Sequence, residues 1–196
     1  YGLASIAHPI LMKTVWNKSV YDPSVGYDLD IFIHPSPPSP GHLLGTDALG
    51  RDVLSMLLAA TTPTFQLAIT AALITAVIGL LGGALSAYYR GPVDYILTHL
   101  ADLAMLAPAP LVMVIIGYTL NITPLKFGVI YGILNGVGAV SVVMRSHALT
   151  LVNKPYIDAS RVAGGQGFHI IWKHLVPHML PLVLVNMLMT VTGAIF

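Results

Sequence analysis

Few residues in this chain have chemistry to offer, and most fail the spacing test for a site. His174 and His178 stand four apart, as two metal ligands on one helix face would. No third ligand accompanies them, and Pro177 between them argues against a continuous helix. "GTDALGRD", Gly45 to Asp52, has the glycines of a phosphate loop but lacks the Lys-Ser/Thr pair that would hold phosphates and magnesium. Ser55, Ser86, Ser141 and Ser146 lie outside any Gly-x-Ser-x-Gly turn and have no positioned base, so nucleophilic catalysis has no support. Cysteine is absent, which removes thiolate chemistry and a disulfide framework. Asp102 remains. A carboxylate inside an apolar run is costly and ordinarily faces protein or water. Asp102 lies one helical turn from His99 and two from Asp94 and Tyr95. That stripe reads either as a structural polar contact or as part of a translocation or proton-relay path, with Asn135 grouped with Asp102 and His99 as the candidate residues.

The densest polar chemistry is an island between two apolar stretches, "YIDASRVAGGQGFHIIWKHLVPHMLP", residues 156–181. Pro155 suits a first helical position, and Asp158 falls in the first turn, where the helix dipole favours an anion. Gly164 and Gly165 then stop that helix. A second short segment places Phe168, Ile171, Trp172 and Leu175 at the spacing of one helix face, and Pro177 and Pro181 open the next apolar run. The expected shape is helix, glycine bend, helix. Arg161 and Lys173 beside Phe168 and Trp172 have the composition of an interface. The island is therefore either a loop whose basic residues only set topology, or a docking knob for a partner.

The elements that must position these residues follow from composition. The chain is 56% hydrophobic and 9% charged, with mean hydropathy +0.80, where a soluble domain carries about a quarter charged residues. It is a membrane protein. Nine Lys plus Arg nearly cancel eight acidic residues, all Asp, so no basic excess points to nucleic acid. A bilayer core about 30 Å thick needs roughly 20 apolar residues in helix. Spans are expected at 62–89, 93–120, 127–145 and 179–196. The second should be kinked or broken, because Pro108 and Pro110 interrupt it. Gly128, Gly132 and Gly136 share one face of the third, where another backbone can approach; Gly79, Gly82 and Gly83 read the same way, and Asn135 and Asn186 can hydrogen-bond between helices.

Residues 1–12 lack a basic leader and read as the end of a first transmembrane helix, and the chain reads as a fragment trimmed at both ends. Residues 13–61 are expected to be an extracytoplasmic loop, with an extended Pro/Ser connector from Pro35 to Pro40 and a short amphipathic helix from Asp47 to Leu58. Basic residues concentrate in the 146–177 loop and at Arg90, and acidic ones in the N-terminal loop. The first two therefore belong on the cytoplasmic side and the last outside.

"DASRVAGGQGFHIIWKHLVPHMLP" resembles the EAA loop of the membrane-spanning permease subunits of binding-protein-dependent ABC importers. Asp158, Ala159 and Ser160 fall on its Glu-Ala-Ala positions, Gly164 on its glycine, and Leu175, Val176 and Pro177 on its ending; Asp replaces Glu and Ser replaces Ala. "HLLGTDALGRDVLSMLL", His42 to Leu58, and "YYRGPVDYILTHLADLAMLAP", Tyr88 to Pro108, resemble the dipeptide, oligopeptide and nickel permeases of that family. The resemblance implies an all-α, six-helix type I ABC importer (MetI-like) fold, of which this fragment lacks most of the first helix and all of the last. It also implies a bacterial or archaeal plasma membrane, a second homologous permease subunit, an extracytoplasmic substrate-binding protein near Asp47 and Arg51, and cytoplasmic ABC ATPase subunits. ATP and Mg would be held by those ATPases, with no cofactor in this chain. Peptide is the expected cargo ahead of nickel. The rival readings are an ATP-independent channel or secondary transporter centred on Asp102 and His99, an intramembrane metalloenzyme using His174 and His178, and a purely structural subunit.

Overall fold

The computed structural model describes residues 2–119 and 122–195. The expected span limits at Tyr1, Leu120 and Phe196 lie outside the described residues. The chain divides into two compact units, Tyr1–Gln66 and Leu67–Phe196. Among the described residues the backbone is helical, and its one β-type pairing is an antiparallel bridge between Thr46 and Asp52.

The first unit contains α1 (Gly2–Thr14), α2 (Lys18–Tyr21), an irregular polar segment, and the first turns of α3 (Val53–Tyr89). The separate amphipathic helix expected over Asp47–Leu58 does not form. Asp47 takes its own neighbours' donors instead: its Oδ1 accepts from the backbone N–H of Leu49 and of Arg51, both at 2.9 Å, and Gly50 turns the chain with φ +81°. Asp52 then caps the helix by accepting the Ser55 N–H at 2.6 Å. From Val53 the helix runs without interruption to Tyr89, so the turn precedes one long rod rather than a surface helix.

The second unit continues α3 and adds α4 (Gly91–Leu106), α5 (Ala109–Thr119), α6 (Pro124–Asn135), α7 (Ser141–Val152), α8 (Pro155–Val162), α9 (Gly167–Ile170) and α10 (Val176–Ile195). A π turn over Gly136–Val140 joins α6 to α7, and another over Ile171–Leu175 joins α9 to α10. The results are rods over Pro124–Val152 and Gly167–Ile195. With α3, these are three helices long and apolar enough to cross a membrane, and α4 with α5, bent by 71°, reach that length and hydropathy together, as a broken span or a re-entrant loop. Two expected boundaries move. The third span continues past Arg145 to Val152, and the fourth begins at Gly167 rather than beyond Pro177. The segment between these rods is therefore residues 153–166, which hold α8 and the glycine bend. Pro177 does not break the helix, because the π turn just before it already widens the hydrogen-bond register in which the missing N–H would have been needed.

Glycine sets the packing of this unit. A Cβ on Gly128 would stand 2.6 Å from the Leu67 carbonyl oxygen, one on Gly132 2.8 Å from that of Ala71, and one on Gly136 3.1 Å from the Thr75 Cα. One on Gly83 would reach the Arg145 nitrogen at 2.6 Å. Residue numbers rise together along both rods, so α3 and α6–α7 lie parallel, backbone against backbone. Parallel neighbours require the chain between them to cross back, which α4 and α5 accomplish. Around this seam Ala84, Ala87, Met144, Ala148, Ile157, Ile170, Leu175 and Met179 are buried in one cluster.

Candidate functional site

The island at 156–176 is a rooted element with an apolar tip. Pro155 opens α8. Its end is closed by the Ala163 N–H donating to the Ala159 carbonyl at 3.0 Å, Gly164 to Arg161 at 3.0 Å and Gly165 to Ser160 at 2.8 Å. Gly164 sits at φ +86°, the left-handed conformation such a helix stop requires. Ile157, Ile170, Ile171 and Leu175 are buried and anchor both arms in the core. Arg161 lies over the Tyr88 ring, 5.5 Å from its centroid, and Gly167 sits close against that same ring.

The opposite side is bare. Val162 is 90% exposed, Phe168 71% and Trp172 48%, with the Phe168 and Trp172 rings 6.0 Å apart. The expected single face of Phe168, Ile171, Trp172 and Leu175 is thus divided: Ile171 and Leu175 point into the core, and Phe168 and Trp172 point out of it. The π turn over Ile171–Leu175 shifts the register, so residues that a uniform α-helix would align fall on different sides. Asp158 pairs with Arg161 of its own helix at 3.0 Å, while Ala159 and Ser160 complete the exposed turn. Pro177 stays on the surface of the rod. An open cleft beside the tip is lined by Ala163, Gly164, Gly165, Gln166, Phe168 and His169. Gln166 and His169 were not singled out by sequence; only their position between the bend and Phe168 marks them.

The intramembrane polar residues regroup. Asp94 turns away from His99 and Asp102 and meets Arg145, whose Nε and Nη2 each donate to one carboxylate oxygen at 2.5 Å. The Ser86 hydroxyl also donates to Asp94 and accepts from Arg145 Nε at 3.0 Å. This clamp ties α3, α4 and α7 together and holds a half-buried ion pair with its lone pairs occupied. Sequence reading placed Arg145 at the end of the third span, without a partner. The available signal was a lone acid at the start of one span and a lone base two crossings later, on the same side by parity. Arg90 and Asn153, at the matching ends of α3 and α7, hydrogen-bond at 3.0 Å.

His99 and Asp102 share the exposed face of α4. His99 Nδ1–H donates to the Tyr95 carbonyl at 2.8 Å, and among the described residues Asp102 makes no side-chain hydrogen bond. Asn135 lies elsewhere, in a cleft with Ala104, Met105, Ala107, Pro108, Ala109, Leu134, Gly138 and Ala139. The three residues proposed for one polar path therefore occupy two separate surfaces.

In the first unit, the "HLLGTDALGRD" segment is organised by one buried histidine. His42 Nδ1 meets Asp52 at 2.9 Å and Nε2 meets Asp28 at 3.1 Å. An ionised carboxylate only accepts, so the arrangement suits the imidazolium form of His42, in which both ring nitrogens donate. Burial opposes that charge, yet the hydrogen bonds to Asp52 and Asp28 prevail and its pKa is raised. Asp28 is lowered, chiefly by the Asp30 backbone N–H and then by His42.

The described helices have the make-up of a multi-pass membrane protein that presents one anchored, apolar-tipped element between two of its apolar rods. The chain belongs to the family of binding-protein-dependent transport system inner membrane components, whose profile matches residues 77–196. It is 31% identical over 163 residues to the oligopeptide transport system permease protein OppC of Lactococcus lactis subsp. cremoris (strain SK11), covering 82% of this chain and 54% of that protein. To the dipeptide transport system permease protein DppC of Bacillus subtilis (strain 168) it is 33% identical over 162 residues, covering 82% and 50%. The chain spans about half the length of the curated relatives it matches.

Proposed function

We propose that this chain is the transmembrane permease subunit of an ATP-driven, binding-protein-dependent importer of di- or oligopeptides. It forms the path with a second homologous permease, receives cargo from an extracytoplasmic binding protein, and couples to cytoplasmic ATPase subunits that hold ATP and Mg. The names of its relatives support peptide ahead of nickel as the cargo. The observation that carries the coupling role is the two-sided build of the 156–176 element. Its Ile157, Ile170 and Leu175 side is fully buried among the ends of the spans, while Val162, Phe168 and Trp172 stand exposed. A rigid element gripped by a partner at its tip moves the spans at its root, which is what alternating access requires. Asp158, Ala159, Ser160, Arg161 and Gly164 shape that tip, and Pro177 lies at its junction with α10. Asn135 belongs with the path.

Phe168→Asp tests this directly, because Phe168 is exposed and its replacement leaves the buried side intact. In the full-length, assembled transporter the variant is expected to insert at wild-type levels, to lose capture of the ATPase subunits, and to lower peptide uptake at least tenfold. Gly164→Val should act in the same direction by straining the bend. Wild-type uptake in both variants would sink the proposal.

A further inference from the structure

The break between α4 and α5 leaves polar backbone open at mid-membrane. Residues 107–110 read Ala-Pro-Ala-Pro. In a continuous helix the N–H groups of residues 107 to 110 would bond the carbonyls of Leu103, Ala104, Met105 and Leu106. Pro108 and Pro110 have no N–H, and Ala107, at φ −80° and ψ 109°, turns the chain out of the helix. Among the described residues, no backbone N–H after Leu106 donates to α4 and no side chain donates to these last-turn carbonyls. The N–H groups of Leu111 and Val112 turn to the Pro108 carbonyl instead, at 2.9 and 3.1 Å.

A second irregularity faces the first. Gly138 departs from helical geometry within the π turn of the Pro124–Val152 rod, with φ −77° and ψ −117°. A Cβ there would stand 3.4 Å from the Met105 Cγ and 3.5 Å from the Ala104 Cβ. Between break and π turn lies the cleft lined by Ala104, Ala107, Pro108, Asn135 and Gly138. Gly138 lies midway along its rod, so the cleft sits near the middle of the bilayer. The Asn135 amide makes no side-chain hydrogen bond among the described residues and is the one polar side chain of the lining.

Non-helical backbone at membrane depth persists only where protein covers it or where it lines a water-filled cavity. Here the last turn of α4, through Ala104 and Met105, and the Asn135 amide border a cleft otherwise lined by Ala107, Pro108, Ala109, Leu134, Gly138 and Ala139, most of them small enough to let another backbone approach. We propose that the Ala104 and Met105 carbonyls at the end of α4, with the Asn135 amide, form a water-lined acceptor set that receives the N–H groups or terminal ammonium of a peptide in transit. The proposal rests on the peptide-importer reading. It adds which groups of this subunit meet the cargo and why they are backbone: carbonyls bond any peptide's N–H groups without regard to its side chains.

The chain has no cysteine, so a single introduced thiol is unique within it. Ala107→Cys and, as a control on an exposed face of α5, Val114→Cys are placed in the full-length subunit of the reconstituted transporter. Each is labelled with a charged, membrane-impermeant methanethiosulfonate, and the label is read on this subunit. Alanine di- to pentapeptides are first screened for uptake, and one that is taken up serves as the probe. Ala107→Cys is expected to react at least tenfold faster than Val114→Cys and to be slowed at least threefold by that peptide. Pro108→Ala/Pro110→Ala, which restores both missing donors, should reduce uptake at least tenfold while ATPase capture through the Phe168 surface is unchanged. Labelling no faster than the control, absence of peptide protection, or wild-type uptake in the double variant overturns the acceptor set and leaves the peptide reading standing. A wild-type transporter that takes up no peptide in the series overturns that reading, and this proposal with it.

Discussion

The Tyr1–Gln66 and Leu67–Phe196 units hold their shapes with opposite materials. In the first, the tertiary contacts that matter are charged and polar: Asp28–His42–Asp52, Asp47–Arg51, and the Tyr21 hydroxyl donating to the Gly41 carbonyl at 2.6 Å. In the second, glycine and alanine let helix backbones touch, and one ion-pair clamp supplements them. The difference follows from the solvent. Water lets side-chain polarity direct a loop because unpaired groups remain solvated. Lipid gives apolar surfaces no reason to associate, so close backbone packing and the few enclosed polar pairs must do it.

The contrast is sharpest for glycine, where the largest effect is expected. Gly132→Leu would drive a Cβ to 2.8 Å from the Ala71 carbonyl oxygen and equally near the Ile74 Cβ. It should cost more than about 3 kcal/mol, the upper range for overpacking, seen as loss of monodisperse protein in detergent. Gly41→Leu, with nothing within 4 Å of its added Cβ, should leave the melting temperature unchanged. If the two variants behave alike, the contrast fails.

Next comes the clamp of the second unit. Asp94→Leu strands Arg145 and should destabilise by roughly 2 kcal/mol, below the ~3–5 kcal/mol of a fully buried pair because both side chains keep some solvent contact. Asp94→Leu/Arg145→Met should recover most of that loss in the melting temperature, since apolar pairs of similar volume can replace an ion pair.

The first unit should respond to pH. The His42 pKa is raised, so its contribution is full below about 6.5, the ordinary histidine value, and disappears as pH rises through the raised folded value. The Asp28 pKa is lowered, so its contribution is full above about 3.9 and fades as pH falls through the depressed value. Amide protection over residues 39–52, corrected for intrinsic exchange, should therefore decline on the alkaline side. His42→Gln should lose about 1–3 kcal/mol at neutral pH and with it that alkaline decline. A decline that persists in the variant would assign it to another group.

Asp47→Ala is expected to have the smallest effect. Its ion pair with Arg51 is partly solvated and worth about 0.2–1 kcal/mol, so the shift should be readable only as faster exchange at Leu49 and Arg51.

Much of this was legible in the residues. The apolar runs, the interruption by Pro108 and Pro110, the glycine stripe of 128, 132 and 136, and the helix stop at Gly164 each depend on a segment's own backbone or hydropathy. The errors share a different cause. The Asp47–Leu58 helix failed because Asp47 bonds backbone donors that a periodicity argument assumes are free. Pro177 was read as a terminator because a π turn is invisible to residue spacing. Phe168 and Leu175 were placed on one face because the count assumed 3.6 residues per turn throughout, whereas the π turn over Ile171–Leu175 rotates the register between them.

By itself the sequence determined that this chain carries apolar stretches long enough to cross a membrane, that the second is interrupted at Pro108 and Pro110, and which short polar segment joins two of them. Those are matters of local transfer energy and of donors that proline cannot supply, and neighbours do not alter them. Only the tertiary structure decided that Asp94 belongs to Arg145 rather than to His99 and Asp102, that His42 lies between two carboxylates, and that the end of α4 packs against Gly138. Each joins residues from separate segments. Such pairings are set by how the segments pack, and packing is long-range information that no single stretch contains.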